Sequence, residues 1–299
     1  MLIWTNPISF KHALKLLTNP HLDVLIVGSN KFNICNSFDL RDQQLTQLIK
    51  NKSNKKIVVS LNKIFHEDEI DNLKKYLKTL KNKKIDGIIF QDFGVKQICD
   101  ELNLKTTFIY CGNSLVVNYG QLFFYKDNNI KIVQLSNELF LNEVKQMQDN
   151  KNGMHLLMQV EGYTMLTQSK WKLLSAFKRQ KKIKQSLVDQ PLLLKEELRK
   201  NMNIILEDNH GTYLFNGYNT SCLEIMKDLK DLDSLLINGF MHDQTWVDST
   251  INIYYQLLNK KTNLKNLIEF RNKINKTTTN GFLNAPKGLL NLQTTNNEK

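Results

Sequence analysis

Residues 57–90 read IVVSLNKIFHEDEIDNLKKYLKTLKNKKIDGIIF. A short apolar run at residues 57–61 is followed by a stretch in which Ile70, Leu73, Leu77 and Leu80 recur at spacings of three and four. A second apolar run follows at residues 87–90. The order strand, amphipathic helix, strand is typical of parallel strands joined by a crossover helix. This stretch therefore predicts one βα unit of an α/β protein.

The same unit recurs along most of the chain. Further strand-like runs lie at Leu2–Trp4, Val24–Val27, Thr107–Tyr110, Ile130–Leu135, His155–Val160 and Ser234–Ile237. Together with residues 57–61 and 87–90 they make eight, the number that a closed (β/α)8 TIM-like barrel requires. A doubly wound open sheet is the alternative. In both folds the working residues lie at the carboxyl ends of the strands.

Two segments depart from this rhythm. Residues 162–203 are rich in lysine and lack a clear strand, so we predict a basic helical insertion there. Residues 203–206 and 213–215 are strand-like and flank a polar stretch, which predicts a short β-hairpin before the last barrel strand. We expect a single barrel domain over residues 1–285 and a flexible polar tail over residues 286–299.

The composition limits the classes of partner. Lys and Arg number 41 against 29 Asp and Glu, a net charge of +12 that favours an anionic partner such as RNA. A lysine-rich surface that serves only solubility is the alternative. No apolar run approaches the roughly 18 residues that span a bilayer, and the N-terminus does not resemble a secretory signal. We therefore expect a cytoplasmic protein with no membrane partner.

The predicted insertion carries the candidate RNA-binding residues. They are Lys170, Trp171, Lys172, Lys178, Arg179 and Lys182. Basic side chains neutralise phosphates, and an aromatic face stacks on an unpaired base. A solvated helix is the alternative, because Trp171, Leu174 and Phe177 fall at helical spacing.

Candidate catalytic residues cluster beside a glycine. Glu207, Asp208 and His210 precede Gly211, and a carboxylate next to a histidine can orient it as a general base. The same residue types also form turns for conformational reasons alone. His66 follows a predicted strand and is a candidate ligand contact.

The four cysteines are Cys35, Cys99, Cys111 and Cys222, and no two of them form a CxxC pair. This spacing is a poor pattern for a disulfide framework or a zinc site. We predict reduced, mostly buried thiols and no metal.

Five phrases together resemble the collagenase-like peptidase U32 family. They lie at residues 61–66, 134–139, 159–162, 207–213 and 233–239, in matching order and spacing. The resemblance covers residues 1 to about 285 and is closest to the shorter, cysteine-poor paralogue linked to tRNA 5-hydroxyuridine synthesis. It implies a barrel fold.

The resemblance also implies a function. The family is labelled as peptidase, but several members resemble RNA hydroxylation factors that form 5-hydroxyuridine at the tRNA wobble position with prephenate. Catalytic members of that kind carry cysteines associated with an iron–sulfur cluster, and the two corresponding positions here are Met165 and Lys172. Neither side chain replaces a thiolate at iron. We therefore expect no cofactor in this chain and a cluster only in a cysteine-bearing paralogous partner.

The leading hypothesis is thus a non-cluster subunit of tRNA wobble-uridine hydroxylation that binds tRNA. Its small-molecule pocket, with prephenate as the candidate substrate, would be lined by His66, Asn118, Glu138 and His210. Glu161, which replaces the family's usual histidine, is a further candidate ligand contact. A U32-type hydrolase that uses His210 with Asp208 or Glu207 is one alternative. An assembly partner without a ligand of its own is another.

Overall fold

The computed structural model describes residues 1–113, 115–195, 197, 202–275 and 278–284. Its strands are β1 Leu2–Thr5, β2 Val24–Val27, β3 Lys56–Leu61, β4 Gly87–Phe90, β5 Thr107–Tyr110, β6 Ile132–Gln134, β7 His155–Ser169, β8 Leu192–Leu194, β9 Asn203–Asp208, β10 Gly211–Ser221, β11 Ser234–Ile237 and β12 Thr278–Thr279. Its α-helices are α1 Phe10–Leu17, α2 Asp42–Asn51, α3 Ile70–Lys81, α4 Phe93–Glu101, α5 Gly120–Asp127, α6 Leu141–Asp149, α7 Leu173–Lys181, α8 Gln244–Leu258 and α9 Leu264–Ile274.

Eight of these strands form a closed parallel barrel. Strands β1 to β7 pair side by side in chain order, and β11 pairs with both β7 and β1. Ser234 lies opposite Leu2 on one side and opposite Leu157 on the other, so the ring is complete. The closed barrel is confirmed, and the open-sheet alternative is wrong.

The barrel strands are buried on both faces, as parallel strands usually are. Trp4, Val58, Ile109 and Leu157 pack inside the barrel. Alternate residues such as Leu25, Val59 and Ile88 pack outward with apolar residues of the surrounding helices. The alternation explains why these strands read as continuous apolar runs in the sequence.

Strand β7 does not stop at the barrel rim. It continues through Ser169 and pairs antiparallel with β10, which pairs with β9, which in turn pairs with β8. We call residues 161–169 of β7 together with β8, β9 and β10 the extension sheet. The prediction of a strandless helical segment was therefore wrong for residues 162–169 and for β8. Within the described part of residues 162–203, the α-helical portion is α7 alone.

Strands β9 and β10 form a hairpin with Asn209 and His210 at its tip, and Gly211 lies opposite Asp208. Gly211 has a φ of +147°, and a Cβ there would lie 2.0 Å from the Ser169 carbonyl oxygen. This close approach requires glycine. The tail expected at residues 286–299 lies outside the described residues. Within the described ranges, no helix is long and apolar enough to cross a membrane.

Candidate functional site

The carboxyl-terminal mouth of the barrel is covered by the loop between β2 and α2. The Ile34 amide donates to Asn62 Oδ1 at 2.9 Å, and the Ser60 hydroxyl donates to Asn33 Oδ1 at 2.9 Å. Ile34 also packs in an apolar cluster with Tyr213 and Phe215 of the extension sheet. The loop and the extension sheet together therefore cap the mouth, and three of the spaces around it contain residues that the sequence singled out or line the barrel interior.

The first space, which we call the amide cavity, lies directly over the barrel interior and has a volume of about 100 Å³. Nine side-chain amides line it: Asn6, Asn33, Asn36, Asn62, Asn113, Gln134, Asn137, Gln159 and Asn238. The thiols of Cys35 and Cys111 also line it, and burial raises the pKa of Cys111 to about 12, so this thiol is uncharged. Among the described residues lining this cavity, none carries a charge at neutral pH.

The second space, the basic pocket, has a volume of about 210 Å³ beside the hairpin tip. Its ionisable side chains are Lys63, His66, Glu69, Lys170, Lys172, His210 and Tyr213. The sequence singled out His66, Lys170, Lys172 and His210 on separate grounds, and the fold brings all four to one pocket.

Glu69 is the one acidic side chain among the described residues of the basic pocket, and it is ion-paired with Lys63. Burial raises the pKa of Glu69, but hydrogen bonds from Lys63 and the His66 amide, with the charges of Lys63 and Lys170, lower it overall. Glu69 is therefore ionised and neutralised by Lys63. Lys170 and Lys172 remain as an excess of positive charge that suits an anionic ligand.

The third space is an outer groove of about 650 Å³, which Asp208, His210 and His242 help to line. The sequence reasoning did not identify His242. Its ring is stacked between Tyr163 and Trp246, and burial lowers its pKa to about 4. His242 Nε2 lies 2.9 Å from Asn219 Oδ1, so the ring is a neutral, packed element of the groove wall.

The predicted acid–base pair of Asp208 and His210 is not formed through the imidazole ring. Asp208 Oδ1 accepts from the backbone amide of His210 at 2.7 Å and from the Tyr213 hydroxyl at 3.1 Å. His210 Nε2 donates instead to the Asn30 carbonyl oxygen. Asp208 thus shapes the hairpin turn, and His210 holds the hairpin tip against the loop that caps the mouth.

Glu207 is fully buried and anchors the start of α7, which does not fit its predicted catalytic role. Its carboxylate accepts from the Leu174 amide at 2.7 Å, the Ser175 amide at 3.1 Å and the Thr212 hydroxyl at 3.2 Å, and also from the Ser175 hydroxyl. Burial raises the pKa of Glu207, but these hydrogen bonds outweigh it and lower the pKa overall. An ionised carboxylate at a helix N-terminus is stabilising, and this one has no free oxygen to offer a substrate.

Glu161 is also buried away from the three spaces. It accepts from the Ser221 hydroxyl at 2.5 Å, and the Tyr254 hydroxyl lies 3.4 Å from the same oxygen. Burial raises its pKa to about 8. Glu161 therefore holds the junction between the barrel and the extension sheet, and the expectation that it lines a ligand pocket is not supported.

Asn118 and Glu138 are exposed and line none of the three spaces described above. Asn118 Oδ1 accepts from the Gln121 amide at 3.1 Å, at the start of α5. The backbone amide of Glu138 donates to the Ser136 hydroxyl at 3.1 Å. Of the predicted ligand contacts His66, Asn118, Glu138 and Glu161, the one that lines a described pocket is thus His66.

The predicted RNA-binding residues lie on and before α7. We call these six residues, which are Lys170, Trp171, Lys172, Lys178, Arg179 and Lys182, together with Lys181 in the last turn of α7, the basic strip. Trp171 is 78% exposed, and Lys178 and Arg179 lie in the last turn of the helix, where cations are stabilising. Residues 162–195 contain eight basic residues and one acidic residue. Among the described residues, no ion pair neutralises a member of the basic strip.

The donor set of this chain does not fit an iron–sulfur cluster. Met165 lines the amide cavity and Lys172 the basic pocket, and neither is a thiolate. Cys99 and Cys222 are buried in the core outside the barrel, apart from the two cysteines of the amide cavity. In the described part of the chain, no group of three or more His, Cys, Asp and Glu side chains is arranged to hold a metal.

These features define a closed (β/α)8 barrel with a capped mouth and a basic strip beside it. The chain belongs to Peptidase family U32, whose sequence model matches residues 10–291. The solved structure of the U32 peptidase Mk0906 superposes with a TM-score of 0.50 at 12% identity, covering 80% of this chain and 92% of that one. That likeness shows the fold.

Two curated relatives are similar in sequence. The chain is 22% identical over 241 residues to tRNA hydroxylation protein P2 of Bacillus subtilis (strain 168), covering 78% of each chain. It is 26% identical over 157 residues to an uncharacterized protease of Methanocaldococcus jannaschii, covering 50% of this chain and 37% of that protein. The family and the distant relationship to a tRNA hydroxylation protein agree with the resemblance in the sequence.

Proposed function

We propose that this U32 family protein acts in tRNA hydroxylation as an RNA-binding subunit that carries no cluster. The product would be 5-hydroxyuridine at the wobble position, and a cysteine-bearing U32 paralogue would supply the iron–sulfur centre. The observation that carries the proposal is the basic strip, whose cations lack ion-pair partners among the described residues. Two of them, Lys170 and Lys172, also border a pocket at the barrel mouth. The similarity to tRNA hydroxylation protein P2 supports the choice of RNA.

The basic strip is suited to RNA because its cations have no ion-pair partners among the described residues and are carried on an ordered helix. An unpaired lysine or arginine that reaches a phosphate releases condensed counterions, which is the main source of non-specific affinity for nucleic acid. Glu207 fixes the start of α7, and Thr212 donates to the Trp171 carbonyl oxygen at 2.7 Å. The charges and the exposed indole are therefore presented from an ordered surface.

The basic pocket is the place that we propose for prephenate, the small-molecule substrate that the family resemblance implies. Prephenate carries two carboxylates, and Lys170, Lys172 and His66 line this pocket. A carboxylate that leaves water requires compensating charge and hydrogen bonds, which these side chains supply.

The hydrolase alternative has less support from the geometry. It requires a carboxylate that orients or activates His210, but Asp208 contacts the backbone of His210 and Glu207 is occupied by the start of α7. The third possibility, an assembly partner without RNA, predicts no tRNA retention and is decided by the same binding assay.

The binding test compares two double variants that remove the same charge from different surfaces. Arg179→Ala/Lys181→Ala alters the last turn of α7, and Lys265→Ala/Lys273→Ala alters exposed positions on α9. We expect the first to weaken tRNA binding and to lower the slope of log affinity against log salt by about 1 to 2, because each lost phosphate contact removes about 0.7 to 0.9. The α9 variant should behave as wild type. Equal salt slopes for the two variants would contradict the assignment.

The cellular test is deletion of the gene followed by measurement of 5-hydroxyuridine in bulk tRNA by mass spectrometry. We expect the modification to fall and to return with the wild-type gene, but to return less with Arg179→Ala/Lys181→Ala. An unchanged level after deletion would overturn the role in tRNA hydroxylation.

A further inference from the structure

The amide cavity contains hydrogen-bond donors that the protein does not use. Asn6 Oδ1 accepts from the Gly239 amide at 2.8 Å, and Asn62 Oδ1 accepts from the Ile34 amide at 2.9 Å. A backbone N–H can only donate, so these contacts fix the side-chain oxygens and leave both NH2 groups on the other side. Neither NH2 group has an acceptor among the described residues.

Two further amides repeat this arrangement. Asn33 Oδ1 accepts from the Ser60 hydroxyl at 2.9 Å, and Gln134 Oε1 accepts from the Cys111 thiol at 2.9 Å. Their NH2 groups likewise have no acceptor in the described part of the chain. Asn33 and Gln134 are 7% and 4% exposed, but their NH2 groups are not among the described side-chain atoms that are sealed from solvent without a partner. Four amide NH2 groups without a protein acceptor in the described part of the chain therefore line one small cavity, where they are available to a ligand that supplies acceptors.

The ligand that fits is uncharged. A buried carboxylate or phosphate would need a cation, and the described lining of this cavity has none. The cavity also presents acceptors: the NH2 group of Asn36 is used by backbone carbonyls, which leaves its Oδ1 free, and Asn113 Oδ1 is free as well. Phe215 and Leu236 add apolar walls.

The volume of the amide cavity limits the size of the ligand. One water needs about 10 to 15 Å³ of such volume, so about 100 Å³ accommodates roughly seven or more waters or a single six-membered ring with its substituents. Donors in excess, a few acceptors and apolar walls match a ring that carries two carbonyl oxygens and one N–H.

We propose that the amide cavity binds the base of a uridine, an uncharged pyrimidine that bears two carbonyl oxygens. The chemistry of the cavity selects the ring type, and the choice of a nucleobase among such rings rests on the proposed function in tRNA hydroxylation. The amide cavity would then hold the base, whereas the basic strip would hold the phosphates.

The first experiment uses the wild-type chain with two nucleosides, uridine and cytidine, followed by NMR titration. Cytidine replaces one carbonyl oxygen by an amino group, which would face the NH2 donors of the cavity. We expect uridine to bind at least about ten-fold more tightly than cytidine, since a mismatched hydrogen-bond pattern in a closed site discriminates strongly. Equal affinities, or no binding of uridine at millimolar concentration, would overturn the inference.

The second experiment changes one donor. Gln134→Glu keeps the side-chain shape and the acceptor for Cys111 but replaces the free NH2 group by a carboxylate oxygen, and Gln47→Glu on the exposed face of α2 is the matched control. We expect Gln134→Glu to weaken uridine binding at least about ten-fold and Gln47→Glu to leave it unchanged. Thermal unfolding checks that both variants fold. If Gln134→Glu does not fold, the nucleoside comparison on the wild type decides alone.

The outcomes separate this inference from the proposed function. Retention of tRNA through the basic strip without uridine selectivity would overturn the base site and leave RNA binding intact. Uridine selectivity that disappears in Gln134→Glu, together with no salt-dependent tRNA binding, would support the base site and overturn the RNA-binding subunit.

Discussion

The barrel and the extension sheet differ in where they carry apolar and charged residues. Barrel strands such as β2 and β4 are buried along their whole length and consist of apolar residues, whereas β8 is mostly exposed and the basic strip lies beside β7 and β10. A parallel strand that is buried on both faces has little room for charged groups. The difference teaches that the charged side chains of this region lie at the carboxyl end of the barrel and not within its interior.

The two regions are nevertheless one covalent and hydrogen-bonded unit. Strand β7 belongs to both, with residues 155–161 in the barrel and the remainder paired with β10. Glu161 lies at this junction, and Glu207 ties the extension sheet to α7. The following predictions test how far the two regions depend on each other.

The largest loss of stability is expected from Glu207→Ala. The change leaves the Leu174 and Ser175 amides and two hydroxyls without their buried acceptor, so we expect the free energy of unfolding to fall by about 3 kcal/mol. Chemical denaturation measures this loss, and hydrogen exchange should show faster exchange of the α7 amides.

The control for that change is Glu269→Ala, an exposed position on α9, which should shift stability by less than about 0.5 kcal/mol. If α7 amides exchange faster while the barrel transition is unmoved, the extension sheet unfolds separately. If Glu207→Ala behaves like Glu269→Ala, the carboxylate is not the anchor of the helix.

The barrel could be predicted from the sequence because its signals are local. Val24–Val27, Gly87–Phe90 and Ser234–Ile237 begin and end where the apolar runs do. The extension sheet was missed because its strands pair over long sequence distances, as Phe215 does with Met165. Tyr163, Thr164 and Thr167 have high β-propensity, a signal for the continued strand that the neighbouring lysines obscured.

The candidate site was predicted only in part, because its contacts also join residues that are distant in the sequence. His66, Lys170, Lys172 and His210 reach one pocket, but the sequence could not show that their neighbours Glu207 and Glu161 are consumed by internal hydrogen bonds. The amide cavity had a local signal, because Asn62 and Asn238 directly follow barrel strands and Asn113 comes three residues after the end of β5. Their common destination depends on closure of the barrel, which strand periodicity alone does not fix.

A change of intermediate size in the free energy of unfolding is expected from the titration of Glu161, at the junction between the barrel and the extension sheet. The folded chain holds a proton on Glu161 up to a pKa of about 8, against an ordinary value of 4.5, so folding binds a proton between these two values. The free energy of unfolding should therefore fall as the pH rises through this window. Relative to Glu161→Gln, which cannot titrate, we expect the wild type to lose on the order of 2 kcal/mol.

Denaturation curves at about pH 5 and about pH 8 measure this difference, with Glu269→Gln as the exposed control. The control should follow the wild type at both values. A constant offset between wild type and Glu161→Gln across the window would show that Glu161 is already ionised at the junction. The compensating charge would then be that of Arg271, whose Nη1 donates to the Ser221 hydroxyl at 2.7 Å.

The smallest effect is expected at the surface of the extension region, from Trp171→Ala. The side chain is 78% exposed, so its removal should change the free energy of unfolding by less than about 0.5 kcal/mol. If the indole stacks on an unpaired base, tRNA affinity should fall by about 1 kcal/mol, roughly five-fold, and Trp171→Phe should restore most of it. Stacking releases no counterions, so the salt slope of Trp171→Ala should equal that of the wild type, in contrast to Arg179→Ala/Lys181→Ala. A lower salt slope for Trp171→Ala that Trp171→Phe does not restore would mean that the tryptophan only positions Lys170 and Lys172. RNA binding by the extension region would then be purely electrostatic.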